Sequence, residues 1–304
     1  MTMKPAGKGV ALSVAASTLF GLMYYYTSLL SPLSGEQIFG WRMLLTVPFM
    51  TLFMVACGEW HQVREIARRL GQEHRLWIVL PLSSVLLGVQ LWLFMWAPLH
   101  DRALDVSIGY FMLPLTMLLT GRLVYRDRLS GWQKLAALSG LAGVAHELWR
   151  AGGFSWASLL VALGYPIYFV LRRKAGTDRL GGLWFDMLLT LPPAFWFVFA
   201  GDDPLRATFG GRPALYLLIP VLGVISTLAL ASYILSARFL NFSLFGLLGY
   251  VEPVLLVIVA LLLGERIAPE KWLTYTPIWL AVGLLAAEGV IRLRSARRSD
   301  DGSR

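Results

Sequence analysis

Residues 249–253 read Gly-Tyr-Val-Glu-Pro, which sets a carboxylic acid directly before a proline in a segment otherwise rich in Leu, Val and Ile. A charged side chain in the middle of a membrane helix costs about 3 kcal/mol on insertion scales. The proline also leaves the carbonyl group four residues earlier, that of Gly249, without its helical hydrogen bond. Membrane helices retain such features mainly where they face a cavity or another helix. Glu252 and Pro253 therefore predict an irregular, inward-facing point in a membrane helix.

The composition indicates a protein that crosses the bilayer many times. Hydrophobic residues make up 57% of the 304 positions, charged residues 15%, and the mean hydropathy is +0.63. A crossing needs about 20 apolar residues. Ten runs approach that length: Gly9–Leu30, Gln37–Cys57, Leu76–Ala97, Leu104–Leu123, Gly131–Trp149, Phe154–Leu171, Leu183–Ala200, Pro213–Ser236, Ser243–Gly264 and Trp272–Ile291. We therefore predict an all-α polytopic membrane protein with ten transmembrane helices, the first of them an uncleaved span.

The charge distribution predicts the orientation and argues against several classes of ligand. Lys and Arg number 27 against 18 Asp and Glu, and alternation of the spans places most of the loop Lys and Arg on one side. This bias predicts cytoplasmic termini, with membrane lipids as partners and no nucleic acid. Residues 294–304 would form a basic cytoplasmic tail. Cys57 is the only cysteine and the four histidines lack ligand spacing, so we expect no disulfide, metal or cofactor.

The chain contains two related halves. Residues 42–48, Arg-Met-Leu-Leu-Thr-Val-Pro, match residues 186–192, Asp-Met-Leu-Leu-Thr-Leu-Pro. The prolines supply two further matches at one common spacing, Pro81 with Pro220 and Pro114 with Pro253. Self-similarity of this kind indicates an internal duplication.

The matches predict a first five-helix repeat over residues 8–149 and a second over residues 154–293, within one membrane domain. An odd number of spans in each half makes the second half enter the membrane from the opposite side. Inverted repeats are typical of secondary transporters, whose binding site lies near the bilayer midplane between the halves. Pro114 and Pro253 would then bend facing helices at midplane, exposing the Tyr110 and Gly249 carbonyls to a shared cavity.

Short motifs along the whole chain carry a family resemblance. They are Arg42, Phe-Met-Trp-Ala at 94–97, Asp-Val-Ser-Ile-Gly-Tyr-Phe at 105–111 with Pro114, Tyr168 with Arg-Arg-Lys at 172–174, the block 186–192, Tyr250, Pro253, Gly-Glu-Arg at 264–266, and Ile278 with Trp279. With these residues the chain resembles the RarD-type (chloramphenicol-sensitivity) permeases of the EamA drug/metabolite transporter superfamily. The resemblance implies a ten-helix, inverted-repeat permease of the bacterial inner membrane that works by alternating access.

Two positions depart from the pattern of that family. Residues 125–127 read Tyr-Arg-Asp where the resemblance implies Gly-Glu-Arg. Glu252 stands where the resemblance implies a small residue, and its first-half counterpart is Leu113. Glu252 would then distinguish the substrate or the proton handling of this chain from that of its relatives.

Three charged residues inside apolar runs are candidates for the site. Glu252 could carry a proton or pair with a substrate, or it could be a structural carboxyl hydrogen-bonded across helices. Arg42 could bind a substrate carboxylate, or its side chain could reach toward the headgroups beside Glu36. Asp186 could act at the site or complement the dipole in the first turn of its helix. We expect Arg42 and Asp186 to be shallower than Glu252, near opposite surfaces, with no direct ion pair between them.

Several residues with hydrogen-bonding or aromatic side chains could line the cavity. They are Gln90, Trp96, Tyr110, Tyr168 and Tyr250. Each offers a polar group or an aromatic face suited to a drug-sized or amino-acid-like solute. The alternative for each of them is packing between helices.

These features predict a secondary transporter for a small organic solute, a drug, amino acid or metabolite, that could be coupled to protons. No Gly-x-x-x-x-Gly-Lys-Ser/Thr motif is present to hydrolyse ATP. The alternatives are a channel or lipid translocator and, with less support, an integral-membrane enzyme. An enzyme would need convergent catalytic groups at one depth, which the histidines do not supply.

Overall fold

The computed structural model describes residues 5–97, 102–153, 155–199, 209–262 and 269–301. Within these ranges the regular secondary structure is helical. The first half contains α1 (Pro5–Ser28), α2 (Gly35–Ala56), α3 (His61–Leu70), α4 (Leu76–Trp96), α5 (Ala103–Val124) and α6 (Gly131–Ala151). The second contains α7 (Trp156–Lys174), α8 (Leu180–Leu189), α9 (Leu191–Phe199), α10 (Leu215–Phe239), α11 (Phe242–Leu248), α12 (Val251–Leu262), a 3₁₀ turn (Pro269–Lys271) and α13 (Trp272–Asp301).

Six of these helices are long and apolar enough to cross a bilayer, namely α1, α2, α4, α5, α10 and α13. The α8–α9 pair, bent by 42° at Thr190, adds a seventh if it is counted as one span. The chain is thus an all-helical membrane protein with several spans, and the number ten remains a prediction. Helix α13 continues to Asp301, into the segment predicted as a tail.

Several helices begin where the sequence provides a cap. Ser34 accepts a hydrogen bond from the Gln37 main-chain N–H, and the Gln37 side chain accepts one from the Ser34 N–H. Ser130 and Gln133 repeat this capping box at the start of α6. Such caps satisfy N–H groups that have no partner within the helix. Gly152 ends α6 in a left-handed conformation, with φ of 76°, which glycine adopts without strain.

The predicted proline kink at Pro253 is instead a break between two helices. α11 ends at Leu248, Gly249 and Tyr250 form a turn, and Pro253 is the third residue of α12. Proline is tolerated in the first turn of a helix because the N–H it lacks would have no partner there. The Gly249 carbonyl is not exposed as predicted, since the Glu252 N–H donates to it at 3.3 Å.

Pro114, in contrast, lies within the continuous helix α5. Its ring lies next to the break, at a distance of 3.6 Å between Pro114 Cγ and the position that a Cβ atom on Gly249 would occupy. The two prolines of the predicted pair therefore belong to neighbouring elements, one that is continuous and one that is interrupted.

Helix α3 lies in a connection where the sequence analysis predicted no helix. Its inner face buries Gln62, Val63 and Ile66, whereas Arg64 and Arg68 are exposed. The Gln62 side-chain oxygen accepts a hydrogen bond from the Gly181 N–H at 3.1 Å, which fixes α3 against the start of α8. The helix has ten residues and few apolar side chains, so its sequence lacks the run of about 20 apolar residues that predicts a membrane span.

Candidate functional site: a charged cavity between the two halves

A narrow cavity of about 50 Å³ lies among helices from both halves of the chain. Its walls come from α1, α2, α4 and α5 of the first half and from α7, α8, α10 and α12 of the second. The lining consists of Phe20, Met23, Arg42, Leu87, Leu91, Phe94, Tyr110, Leu113, Tyr165, Tyr168, Leu183, Leu230, Tyr233, Ile234 and Glu252. The surface is thus mostly apolar and aromatic, with one cationic and one anionic side chain.

Arg42 lies at this cavity and is 1% exposed, so the predicted alternative of a side chain reaching the headgroups is wrong. Its Nε donates to Ser226 Oγ of α10 at 2.9 Å. Thr46, one turn later, donates to the Arg42 carbonyl at 2.6 Å and is hydrogen-bonded to Ser226 at 3.0 Å. These contacts hold the guanidinium within the protein, because Ser226 supplies a polar partner there. One terminal nitrogen, Nη2, is buried with no hydrogen-bond partner among the described residues.

Glu252 lines the same cavity from α12, immediately after the break at Gly249 and Tyr250. The depth predicted for Arg42 therefore needs correction, because Arg42 and Glu252 face one space. Among the described residues no ion pair within 4.0 Å joins them. The cavity holds two opposite charges that do not touch each other.

Tyrosines form most of the polar lining that remains. The rings of Tyr110 and Tyr165 lie side by side, with centroids 6.5 Å apart. Phe94 packs edge-on against Tyr110 at 5.8 Å. Tyr168 lies one turn of α7 beyond Tyr165, and its hydroxyl points away to Asp186. Aromatic faces and hydroxyl groups together suit a solute that is partly apolar and partly polar.

Asp186 lies just beyond Tyr168 and is fully buried. Its carboxylate accepts hydrogen bonds from Ser83 at 2.6 Å and from Tyr168 at 2.9 Å, and it pairs with Arg172 at 2.5 Å. α8 begins at Leu180, earlier than predicted, so Asp186 is not in the first turn and the dipole interpretation is wrong. Its hydrogen bond with Tyr168 connects Asp186 to the cavity lining.

Three predicted cavity residues lie outside the lining, and each has a packing role instead. Gln90 donates to the Leu160 carbonyl on α7 at 2.7 Å. Trp96 packs against the rings of its neighbours, with centroids 5.1 Å from Trp92. Tyr250 is fully buried against α6, close to Gly140, on the other side of the helix break.

Four residues were not predicted from the sequence: Tyr165 and Tyr233 at the cavity, Ser226 as the partner of Arg42, and Arg172 behind Tyr168. Tyr165 and Tyr168 are three residues apart in an apolar helix, which places both hydroxyl groups on one face. Arg172 follows Tyr168 by four residues and so lies on that face as well. The predicted span Phe154–Leu171 leaves Arg172–Lys174 outside the membrane helix, but α7 extends through Lys174 and Arg172 is buried in the protein.

Comparison with known proteins gives the family. The chain is 45% identical over 297 residues to the "Chloramphenicol-sensitive protein RarD" of Pseudomonas aeruginosa, covering 97% of this chain and 99% of that protein. It is 38% identical over 287 residues to an uncharacterized transporter of Pasteurella multocida, covering 94% of this chain and 98% of the other. It is 27% identical over 296 residues to "Protein RarD" of Escherichia coli, covering 97% and 99%.

A solved crystal structure of another protein superposes with a TM-score of 0.69 at 18% sequence identity, covering 95% of this chain and 98% of that one. At that identity the likeness concerns the fold alone. No family model matches the chain. The high identity over nearly the full length of several relatives shows that this chain belongs to the RarD family of EamA-type transporters.

Proposed function

We propose that the protein is a secondary transporter that moves a small organic solute across the bacterial inner membrane by alternating access, with cytoplasmic termini. The observation that carries this proposal is the cavity between the halves, which presents Arg42, Glu252 and four tyrosines within apolar walls. Transporter sites of this kind lie at the interface of structural repeats.

The packing of the helices supports an inverted repeat of five plus five spans. If α1, α2, α4, α5 and α6 correspond to α7, α8–α9, α10, α11–α12 and α13, then contacts within the chain occur in matching pairs. α1 packs on α10 as α7 packs on α4, and α2 packs on α10 as α8 packs on α4. α5 packs on α7 as α12 packs on α1, and α6 packs on its own counterpart α13.

The size of the cavity supports a mechanism in which the helices move. Sites for drug-sized ligands measure about 300–1,000 Å³. The 50 Å³ cavity has room for waters only, so this conformation resembles a closed state rather than a loaded one. Separation of the helices from the two halves would enlarge the cavity and open it to one side of the membrane at a time.

Glu252 is the candidate for proton coupling. A carboxyl group at a cavity within the membrane can take up a proton when the cavity faces one side and release it to the other. Drugs, amino acids and other metabolites all remain candidate substrates. Chloramphenicol belongs among the compounds to test because it appears in the name of a relative that is 45% identical.

The test is uptake into proteoliposomes that contain the purified protein. Saturable uptake of a labelled solute that an unlabelled solute inhibits would support a carrier. Non-saturable flux would favour a channel, flipping of a labelled phospholipid would favour a lipid translocator, and turnover of an added substrate would favour an enzyme.

For Glu252→Gln we expect transport to lose its dependence on an imposed pH gradient, because the amide cannot exchange a proton. Glu65→Gln, on the exposed face of α3, is the matched control and should behave like the wild-type protein. Unchanged gradient dependence in Glu252→Gln would refute the proton-carrier role and leave the transporter proposal standing.

A further inference from the structure

Helix α3 carries two exposed arginines that take no part in the cavity or in the contacts behind it. Arg64 and Arg68 are four residues apart, so their side chains lie one helical turn apart on the same exposed face. Among the described residues neither of them forms an ion pair. Their neighbours Arg69 and Arg75, in contrast, are both paired with Glu73. The exposed face of α3 therefore offers two positive charges to a ligand.

The inner face of α3 is fixed to the rest of the protein, so these two arginines project from a held helix. Gln62 accepts a hydrogen bond from the Gly181 N–H at 3.1 Å. Arg69 donates to the Ala175 carbonyl at 2.8 Å and to the Gly176 carbonyl at 3.1 Å. α3 is thus bound at two points to the connection between α7 and α8. Cations on a held helix lose less conformational freedom on binding than cations on a flexible loop.

Trp77 marks the depth of α3 in the bilayer. Its Nε1 donates to the carbonyl of Leu70, the last residue of α3, at 2.9 Å, and the residue is 66% exposed. Ile78, Leu82 and Val85 are also exposed on α4, with the spacing of one apolar helix face. Tryptophan favours the level of the headgroups, at the edge of the hydrocarbon core. The exposed face of α3 therefore lies at the level of the lipid phosphates, beside a surface for acyl chains.

The charge and the apolar surface together fit a phospholipid better than a soluble anion. Two guanidinium groups can each donate to the oxygens of one phosphate. Residues 61–75 contain four arginines against two glutamates, Glu65 and Glu73, and Glu73 is already paired. The exposed face of α4 accommodates acyl chains, which a free phosphate or an acidic peptide does not have.

We propose that Arg64 and Arg68 form a binding site for the headgroup of an anionic phospholipid, whose acyl chains lie along the exposed face of α4. The bound headgroup holds α3 in place and, through Gln62 and Arg69, the connection that leads to Asp186. This inference does not depend on the proposed transport function, because it concerns an outer surface of the folded protein.

The experiment measures lipid binding to the purified, delipidated protein in a neutral detergent. Dioleoylphosphatidylglycerol is the anionic probe, dioleoylphosphatidylcholine has the same chains without net charge, and glycerol 3-phosphate has the phosphate without chains. Native mass spectrometry measures the affinity, and the unfolding temperature reports binding to the folded state. For the wild-type protein we expect phosphatidylglycerol to bind more tightly than phosphatidylcholine and to raise the unfolding temperature. High salt should weaken its binding, and glycerol 3-phosphate should not compete.

Paired variants locate the site. Arg64→Gln combined with Arg68→Gln should weaken phosphatidylglycerol binding about thirtyfold, because each arginine near an anionic lipid contributes a factor of about five. The same variant should lose the rise in unfolding temperature. Arg128→Gln combined with Lys134→Gln removes two exposed cations outside α3 and is the matched control, with binding unchanged. Arg64→Lys combined with Arg68→Lys keeps both charges and should retain most of the affinity.

Equal binding of phosphatidylglycerol and phosphatidylcholine to the wild-type protein would overturn the inference. Competition by glycerol 3-phosphate at the concentration of the lipid would also overturn it, since the site would then be one for soluble phosphates. Equal losses in the α3 glutamine variant and in its matched control would show that lipid binding follows the overall charge and not a site on α3. The transporter proposal is tested separately by uptake, so each of these results leaves it standing.

Discussion

Arg42 and Asp186 begin the two matching sequence blocks and carry opposite charges, but they differ in how completely their surroundings neutralise them. Both are buried, and each is followed four residues later by a threonine, Thr46 or Thr190, that donates to its carbonyl group at 2.6 Å. Both contact a serine on a helix of the other half, Ser226 for Arg42 and Ser83 for Asp186. The backbone arrangement is therefore shared.

The difference lies at the charged end of each side chain. Asp186 has Ser83, Tyr168 and Arg172 around its carboxylate. Arg42 has a partner at Nε and a spare donor at Nη2. A buried charge with a complete set of partners stabilises an interface between helices. Arg42 instead lines the cavity and forms no ion pair among the described residues, so we infer that it is the one of the two that binds a ligand. The two positions would thus have diverged, one toward structure and one toward binding.

The largest effect on stability is expected for Asp186→Ala. The substitution leaves Arg172, itself 1% exposed, without its carboxylate, and breaking a buried pair in this way costs about 3–5 kcal/mol. Asp105→Ala is the matched control, because it breaks the exposed pair with Arg102 and should cost at most about 1 kcal/mol. The measurement is the free energy of unfolding in detergent.

A double variant distinguishes the cost of leaving Arg172 unpaired from the cost of losing the Asp186 side chain itself. If Asp186→Ala and Arg172→Leu are combined, no buried charge is left unpaired, and the double variant should be more stable than Asp186→Ala alone. Equal costs for Asp186→Ala and Asp105→Ala would show that Asp186 has no special structural role, and the contrast with Arg42 would fail.

For Arg42→Met, in contrast to Asp186→Ala, we expect little change in the free energy of unfolding and a loss of transport. The substitution removes one hydrogen bond, worth about 1 kcal/mol, together with a buried charge that lacks a carboxylate partner. Arg172→Met is the control on the other side of the comparison and should destabilise the protein, since it leaves Asp186 unpaired. Unfolding and uptake measured on the same preparations would decide.

A cost of 3 kcal/mol or more for Arg42→Met would contradict the division between structure and binding. It would place Arg42 with Asp186 among the residues that hold the helices together. Transport at the wild-type rate in a stable Arg42→Met variant would remove Arg42 from the binding site.

The sequence predicted the features that depend on local composition. Apolar runs such as Leu76–Ala97 correspond closely to helices, here to α4 (Leu76–Trp96), because length and hydropathy decide whether a segment can cross the membrane. The placement of Arg42 and Glu252 at the cavity also follows from their cost in an apolar segment, since such residues persist mainly where they face a cavity.

Features that depend on where a helix ends, or on contacts between distant segments, were not predictable in the same way. α7 ends at Lys174, three residues beyond the predicted end at Leu171. The added residues include Arg172, which lies in the interior beside Asp186. The assignment of Tyr250 to the cavity failed for a related reason. Because two residues interrupt the helix after α11, Tyr250 faces α6 and Glu252 faces the cavity. A prediction that assumes one continuous helix assigns the wrong face to Tyr250.

The smallest effect is expected outside the membrane, at Glu73, and it tests whether burial is what distinguishes Asp186. A hydrogen bond donated by Arg69 and a second, smaller contribution from the hydrogen bond with Arg75 lower the pKa of Glu73 from 4.5 to about 2. Arg69 in turn donates to the Ala175 and Gly176 carbonyls that follow α7. Glu73 thus helps to hold α3 against the connection that leads to α8 and Asp186.

Because the pKa of Glu73 is lower in the folded protein, its contribution to stability is present above pH 4.5 and is lost as the pH falls toward 2. Glu73→Gln should therefore be slightly less stable than the wild-type protein at pH 7, and the gap should narrow below pH 4.5. The stability difference between Glu73→Gln and the wild-type protein should also decrease at high salt, because salt screens exposed charges. The cost of Asp186→Ala should not depend on salt. Unfolding measured across pH and salt for both variants makes this comparison. A salt-sensitive cost for Asp186→Ala would mean that water reaches the Asp186–Arg172 pair, and that burial does not set it apart from Glu73.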